Sequence, residues 1–174
     1  QSAENCVCIL HNLTFQLEAE APDLFIIEDP QPVGPGWLFH SKTMGNYLSL
    51  LSSSQREETQ EACCGALQNL TTHEGISTIM GQTIVQKLGG LRVIGPLLNS
   101  KKVNLQRNTV ALLGNLTKNP VLHSAITTGA NESDDILSMA CQASSCLLMK
   151  NPEMNKNLLN SKLINSLNDI SKNM

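Results

Sequence analysis

The tripeptide Asn-Leu-Thr occurs three times, at Asn12-Leu13-Thr14, Asn69-Leu70-Thr71 and Asn115-Leu116-Thr117, each time closing a small, apolar run with helical spacing. Those runs are Glu4 to Leu13, Glu61 to Leu70 and Arg107 to Leu116. A weaker fourth spans Met139 to Met149, with Leu148 in the place of Leu116. A chain that ends one helix the same way at intervals repeats a structural unit, and stacked units bury a continuous core that none builds alone. The leucines lie 57, 46 and 32 residues apart. A helical solenoid unit runs to about 40–47 residues, so the first interval carries an insertion and the last a deletion.

That period is the one of armadillo and HEAT units, and the pattern between the tripeptides is helical throughout. Cys6, Ile9, Leu10, Leu13 and Leu17 predict one amphipathic helix over 2–17. Pro22 to Gly36 gathers four of the seven prolines and two glycines, which forbids a regular helix and marks an inserted loop. Met44, Tyr47, Leu48, Leu50 and Leu51 predict a helix ending in the serines at 52–54, and the next one starts between Ser54 and Glu58. The stretch 75–117 holds the fullest unit. Its first helix carries Ile76, Ile79, Met80, Ile84, Val85 and Leu88 and stops at Gly89-Gly90. Its second carries Leu91, Val93, Ile94, Leu97 and Leu98, with Pro96 allowed only near a start or at a kink. Val103, Val110, Leu112, Leu113 and Leu116 complete the third.

The expected organisation is therefore all-α, a solenoid fragment of about three to four repeats of the armadillo or HEAT kind. It divides into 1–21, the third helix of a truncated repeat; 22–36, the insert; repeats at 37–72 and 73–118; a shortened repeat at 119–150 that lacks its second helix; and a partial repeat at 151–174. Neither end reads as a polar capping unit. The expectation is an excerpt of a longer solenoid with apolar helix faces exposed at both ends.

Aromatic residues make up 3% and charged residues 16% of the chain, a balance suited to closely stacked helices. Cys6, Cys8, Cys63, Cys64, Cys141 and Cys146 all fall in helical runs and read as buried free thiols. No leader and no apolar run of about 18 residues is present, from which a cytosolic or nuclear compartment is expected. The net charge of −3 is unevenly spread. Residues 1–41 contain six acids and no Lys or Arg, whereas the span between Glu74 and Glu132 has no acid and six cations: Lys87, Arg92, Lys101, Lys102, Arg107 and Lys118. These six predict attraction for acidic protein segments or, more plainly, a solvated face. Nucleic acid is the weaker partner class, because the block lacks aromatics for base stacking.

Asn12, Asn69 and Asn115 each follow small residues on their own helix face: Cys8 and Asn5, Gly65 and Ala62, Ala111 and Asn108. A carboxamide both donates and accepts, so a row of them can pair with the backbone of an extended peptide whatever its side chains. The alternative is that each asparagine caps its own helix or holds an adjacent loop. The fourth copy has Leu147 here, so any row fails at that end.

Other motifs carry less. Three of the four Asn-X-Ser/Thr sequons, the fourth being Asn131-Glu132-Ser133, sit at helix ends, which disfavours glycosylation. Cys6, Cys8 and His11 lack the further ligands of a metal site, and a Cys64–His73 nucleophile pair rests on composition alone. Trp37 reads as the anchor of the insert on the solenoid. One hypothesis has the acidic insert, with Glu28 and Asp29, folding over the basic block as an internal competitor for partners.

Ala3-Glu4-Asn5-Cys6-Val7-Cys8 with Leu10-His11-Asn12-Leu13 resembles the third helix of an armadillo repeat in the plakophilins and their cadherin-binding catenin relatives. Gly36-Trp37-Leu38-Phe39-His40-Ser41 and Gly65-Ala66-Leu67-Gln68-Asn69-Leu70-Thr71 are similar to plakophilin segments, in the same order. The resemblance implies a right-handed superhelix of three-helix units, and a non-enzymatic scaffold without cofactors on the cytoplasmic face of desmosomes. It also implies a second pool in the nucleus. Its partners would be cadherin-type tails, desmosomal plaque proteins and cytoskeletal linkers. A short insert and the missing helix depart from that pattern. A nuclear-import cargo adaptor shares the repeat but pairs each asparagine with a tryptophan and offers an acidic groove, whereas Trp37 is the single tryptophan of this chain. A spacer without a groove ligand is the other rival.

Overall fold

A computed structural model describes residues 2–20, 31–128 and 136–150, and every regular element among them is helical. The bulk of the insert, the sequon at 131–133 and the helices expected after 151 lie outside the described residues. In chain order the elements are α1 (Ser2–Thr14), α2 (Leu17–Glu20), a 3-10 turn (Gly34–Phe39), α3 (Ser41–Ser53), α4 (Glu57–Leu70) and α5 (Glu74–Gln82). A π turn (Thr83–Lys87) extends α5. Then come α6 (Leu91–Leu97), α7 (Val103–Thr117), a second 3-10 turn (Pro120–Leu122), α8 (His123–Thr128) and α9 (Ile136–Lys150).

The four helices of the repeated runs form a ladder: α1 packs on α4, α4 on α7 and α7 on α9. Behind the ladder α3 covers α4, while α5 and α6 cover α7. The core lies between these layers, where Tyr47, Leu51, Cys63, Ala66, Leu67, Met80, Ile84, Ile94, Leu98, Leu112, Leu113 and Leu116 are essentially removed from water. Burial on this scale, about 25 cal/mol per Å² of apolar surface, is what holds helices too short to persist alone.

Two devices recur between the middle repeats. Ser54 Oγ accepts from Arg56 N at 3.1 Å and Ser100 Oγ from Lys102 N at 3.1 Å, turning the chain into α4 and α7. Gln60 Nε2 then donates to Leu51 O at 3.0 Å, and Gln106 Nε2 to Leu98 O at 2.8 Å. Each glutamine thus satisfies a carbonyl left open at the end of the preceding helix. The stop at Gly89-Gly90 is as expected. Gly89 takes φ +61°, the left-handed conformation that glycine adopts without strain, and Gly90 N donates to Ile84 O at 2.8 Å. Pro96 sits in the last turn of α6, whose chain leaves by i to i−3 bonds such as Leu98 N to Gly95 O.

Three expectations are corrected. The helix over 2–17 breaks at Phe15 and Gln16, where Gln16 takes φ 55°. The apolar residues Cys6, Ile9 and Leu13 face solvent, while Val7 and Thr14 are buried and Leu10 packs on the core. Their counterparts Cys63, Ala66 and Leu70 are buried in α4, which α3 covers, so this face belongs to packing within a repeat. For the same reason the thiols divide. Cys63 and Cys64 are buried, whereas Cys6, Cys8, Cys141 and Cys146 are exposed.

Candidate functional site: the ladder of repeated helices

The Asn-Leu-Thr residues take three roles, all of them filled in the second and third copies and only the threonine's in the first. The threonine folds back on its own helix: Thr14 Oγ1 donates to His11 O at 2.8 Å, Thr71 Oγ1 to Leu67 O and Gln68 O at 2.9 and 3.0 Å, and Thr117 Oγ1 to Gly114 O at 2.9 Å. The asparagine reaches the helix before it. Asn69 Nδ2 donates to His11 O at 3.2 Å and Thr14 Oγ1 at 3.3 Å. Asn115 Nδ2 donates to Gln68 O at 3.2 Å and to Thr71 Oγ1 and Thr72 Oγ1 at 3.4 Å. The threonine of one repeat and the asparagine of the next therefore meet on one carbonyl. Such a bond contributes about 1 kcal/mol net, and more is lost if a buried partner is left unpaired. The leucine fills the core in α4 and α7.

This placement ties the motif to the seams between repeats. Asn12, on the first ladder helix described, is exposed. Asn115 keeps its oxygen turned to Lys118, whose Nζ donates to Oδ1 at 3.1 Å. At the fourth position Leu147 is fully buried, and the row of carboxamides ends there as expected. The small residues beside Asn69 are also occupied: Gly65 and Ala62 are buried, with the His11 ring of α1 lying over Gly65. Beyond Asn69, at the C-terminal ends of α1 and α4, an open cavity of about 200 Å³ is lined by Phe15, Gln16, Asn69, Thr72 and His73.

Charge organises the opposite end of the ladder. Arg56, just before α4, pairs with Glu4 of α1, and Lys102, just before α7, pairs with Glu57 of α4. The hydrogen bond to Glu57, then its charge, raises the pKa of Lys102. Burial, followed by the charge of Glu57, raises that of Glu61, against which Asn104 and Arg107 pull. Arg107 is half-buried and donates to Asn104 Oδ1 at 3.3 Å. The block that is purely basic in sequence is thus partly answered by acids of the previous ladder helix. Lys87, Arg92, Lys101 and Lys118 are exposed, Lys87 at the end of the π turn and Arg92 in the first turn of α6.

Trp37 is two-fifths exposed; its ring meets His40 edge-on at 5.2 Å and its carbonyl accepts from Thr43 Oγ1 at 2.6 Å. The residue of this turn that enters the core is Phe39. Burial pushes the thiols of Cys63 and Cys64 up to about 12, which keeps both protonated at neutral pH. Thr14, Thr71 and Thr117, the third residues of the three described sequons, are buried. Among the described residues no three His, Cys, Asp or Glu side chains gather around a metal position, and no helix is long and apolar enough to cross a membrane.

The glutamines at 60 and 106, the serines at 54 and 100 and the His11–Gly65 contact escape a reading of helical spacing. The first four show in the sequence only once the two repeats are aligned on their leucines.

Residues 47–72, which include α4, match the family model of the armadillo/beta-catenin-like repeat. Human plakophilin-2 is 34% identical over 165 residues, covering 72% of this chain and 19% of the relative. Plakophilin-2 of Danio rerio is 32% identical over 167 residues, covering 72% and 20%. The human splicing regulator ARVCF is 26% identical over 172 residues, covering 67% and 18%. The chain spans about a fifth of the length of these curated relatives. With stacked helices, an armadillo repeat in their middle and this likeness across most of its length, the chain is a plakophilin-like armadillo-repeat protein.

Proposed function

We propose that the chain is part of a non-enzymatic scaffold of cell–cell junctions, the desmosomal plaque in particular, linking cadherin-type adhesion to the cytoskeleton. Its relatives are plakophilins and ARVCF, and the name of the latter as a splicing regulator supports a second, nuclear pool. The partners are proteins: cadherin-type tails, plaque proteins and cytoskeletal linkers. The observation that carries the binding mode is the pairing of Asn115 with Lys118 on the ladder, which sets a carboxamide and an exposed cation side by side. An extended acidic segment brings backbone N–H groups to the carboxamide oxygens of Asn12, Asn69 and Asn115 and finds charge partners at Arg107 and Lys118, with Lys87, Arg92, Lys101 and Lys102 adding long-range attraction.

The test is affinity for acidic cadherin-tail peptides against basic import-signal peptides. The R107E/K118E variant should lose most of its affinity for the acidic peptide, and the parent's affinity should fall as salt rises, since exposed charges are screened beyond about 8 Å at physiological ionic strength. Preference for the basic peptide would instead support the import-adaptor class. Unchanged affinity for acidic peptides in the variant would favour the spacer reading, which one observation supports: the amide groups of Asn69 and Asn115 already serve the neighbouring helix.

A further inference from the structure

The seam between α1 and α4 carries a titratable ring that the next seam lacks. In the last turn of α1 His11 faces Gly65, and at the same register the α4–α7 seam has Gln68 and Ala111. The His11 ring enters the space a side chain on Gly65 would fill. Its Nε2 lies 2.5 Å, its Cε1 2.9 Å and its Cδ2 3.0 Å from where a Cβ would stand. The ring therefore meets α4 with its Nε2 edge, against a glycine Cα that offers no acceptor. A neutral imidazole with its hydrogen on Nδ1 fits this position, whereas an imidazolium directs an N–H at carbon.

The charged and titratable groups of the two helices are Glu4, Cys6 and Cys8 on α1 and Glu57, Glu58, Glu61, Cys63 and Cys64 on α4, with Arg56 at the start of α4. Glu4 pairs with Arg56, and Glu57 with Lys102. The C-terminal turn of α1 favours a cation, yet burial prevails and holds the His11 pKa below its usual 6.5. A group with a depressed pKa in the folded state stabilises that state above its free pKa of 6.5, and this contribution is lost as the pH falls through the folded value.

We propose that the α1–α4 seam is a proton-sensitive joint: the neutral His11 ring, seated over Gly65, holds α1 on the ladder, and its protonation releases α1 while the α4–α7 seam stays closed. The same helix end carries the carbonyl that Asn69 grips, so release of α1 also breaks that bond and reshapes the cavity beside it.

The test is amide hydrogen exchange at pH 7.5 and 5.5, corrected for intrinsic rates, on the parent chain and on His11→Gln, which carries the residue of the next seam. In the parent, α1 should lose protection several-fold more than α7 on acidification, and in H11Q the two helices should respond alike. An H11Q chain whose α1 opens as steeply with acid as the parent's overturns the proposal. Should H11Q fold poorly, the His11 ring resonance of the parent decides: titration below free imidazole supports the joint, and titration at or above it overturns it.

Discussion

Leu13, Leu70 and Leu116 occupy one position of one motif, yet they are 51%, 5% and 1% exposed. The residue type is set by the repeat and the burial by whether other helices of the same repeat cover that face. Leu116→Ala should cost about 2–5 kcal/mol, the price of a core cavity, while Leu13→Ala should stay within about 0.5 kcal/mol, as surface changes do. Urea unfolding of the two variants checks the contrast. Equal costs would mean that the outer face of α1 is covered in solution. Asn69 and Asn115 teach the same lesson in polar terms. That they recur is plain from the sequence, but which acceptor each one finds depends on the helix packed beside it.

At the scale of elements the sequence marks where helices stop better than how they stop. The glycine pair at 89 and 90 announces the end of α5, and the two act for different reasons. Gly89 supplies a left-handed φ, whereas a Cβ on Gly90 would stand 2.7 Å from the Ile84 carbonyl oxygen. Gly89→Asn should be tolerated better than Gly89→Ala, which costs about 1–2 kcal/mol in backbone strain. Gly90→Ala should exceed both, because the backbone atom it strikes belongs to the helix end itself. Thermal unfolding of the three variants gives the order. The π turn at Thr83–Lys87, with Leu88 N reaching back to Thr83 O, was not legible, since apolar spacing continues smoothly through it. Neither was the break after Thr14: Phe15 and Leu17 prolong the apolar pattern, and Gln16 leaves the helix only by adopting φ 55°.

At the scale of the molecule, stability is shared between units and the seams that join them. Asn115→Ala removes the donor that bridges α4 and α7 while sparing both helices. It should cost about 1 kcal/mol and broaden the urea transition, because the coupling between two units is what it weakens; a sharp, merely shifted transition would place Asn115 within one unit. The sequence by itself determined the repeat, its helical make-up, the positions of the third helices and the end of the carboxamide row at Leu147, because these follow from local periodicity and from residue types that recur. Only the tertiary structure decided that Cys6, Ile9 and Leu13 face out while Cys63, Ala66 and Leu70 face in, that Glu4 and Glu57 answer the cations ahead of the following helices, and that His11 lies over Gly65. Those outcomes join residues about 50 positions apart, and a spacing pattern read along one helix holds no information on what stands across from it.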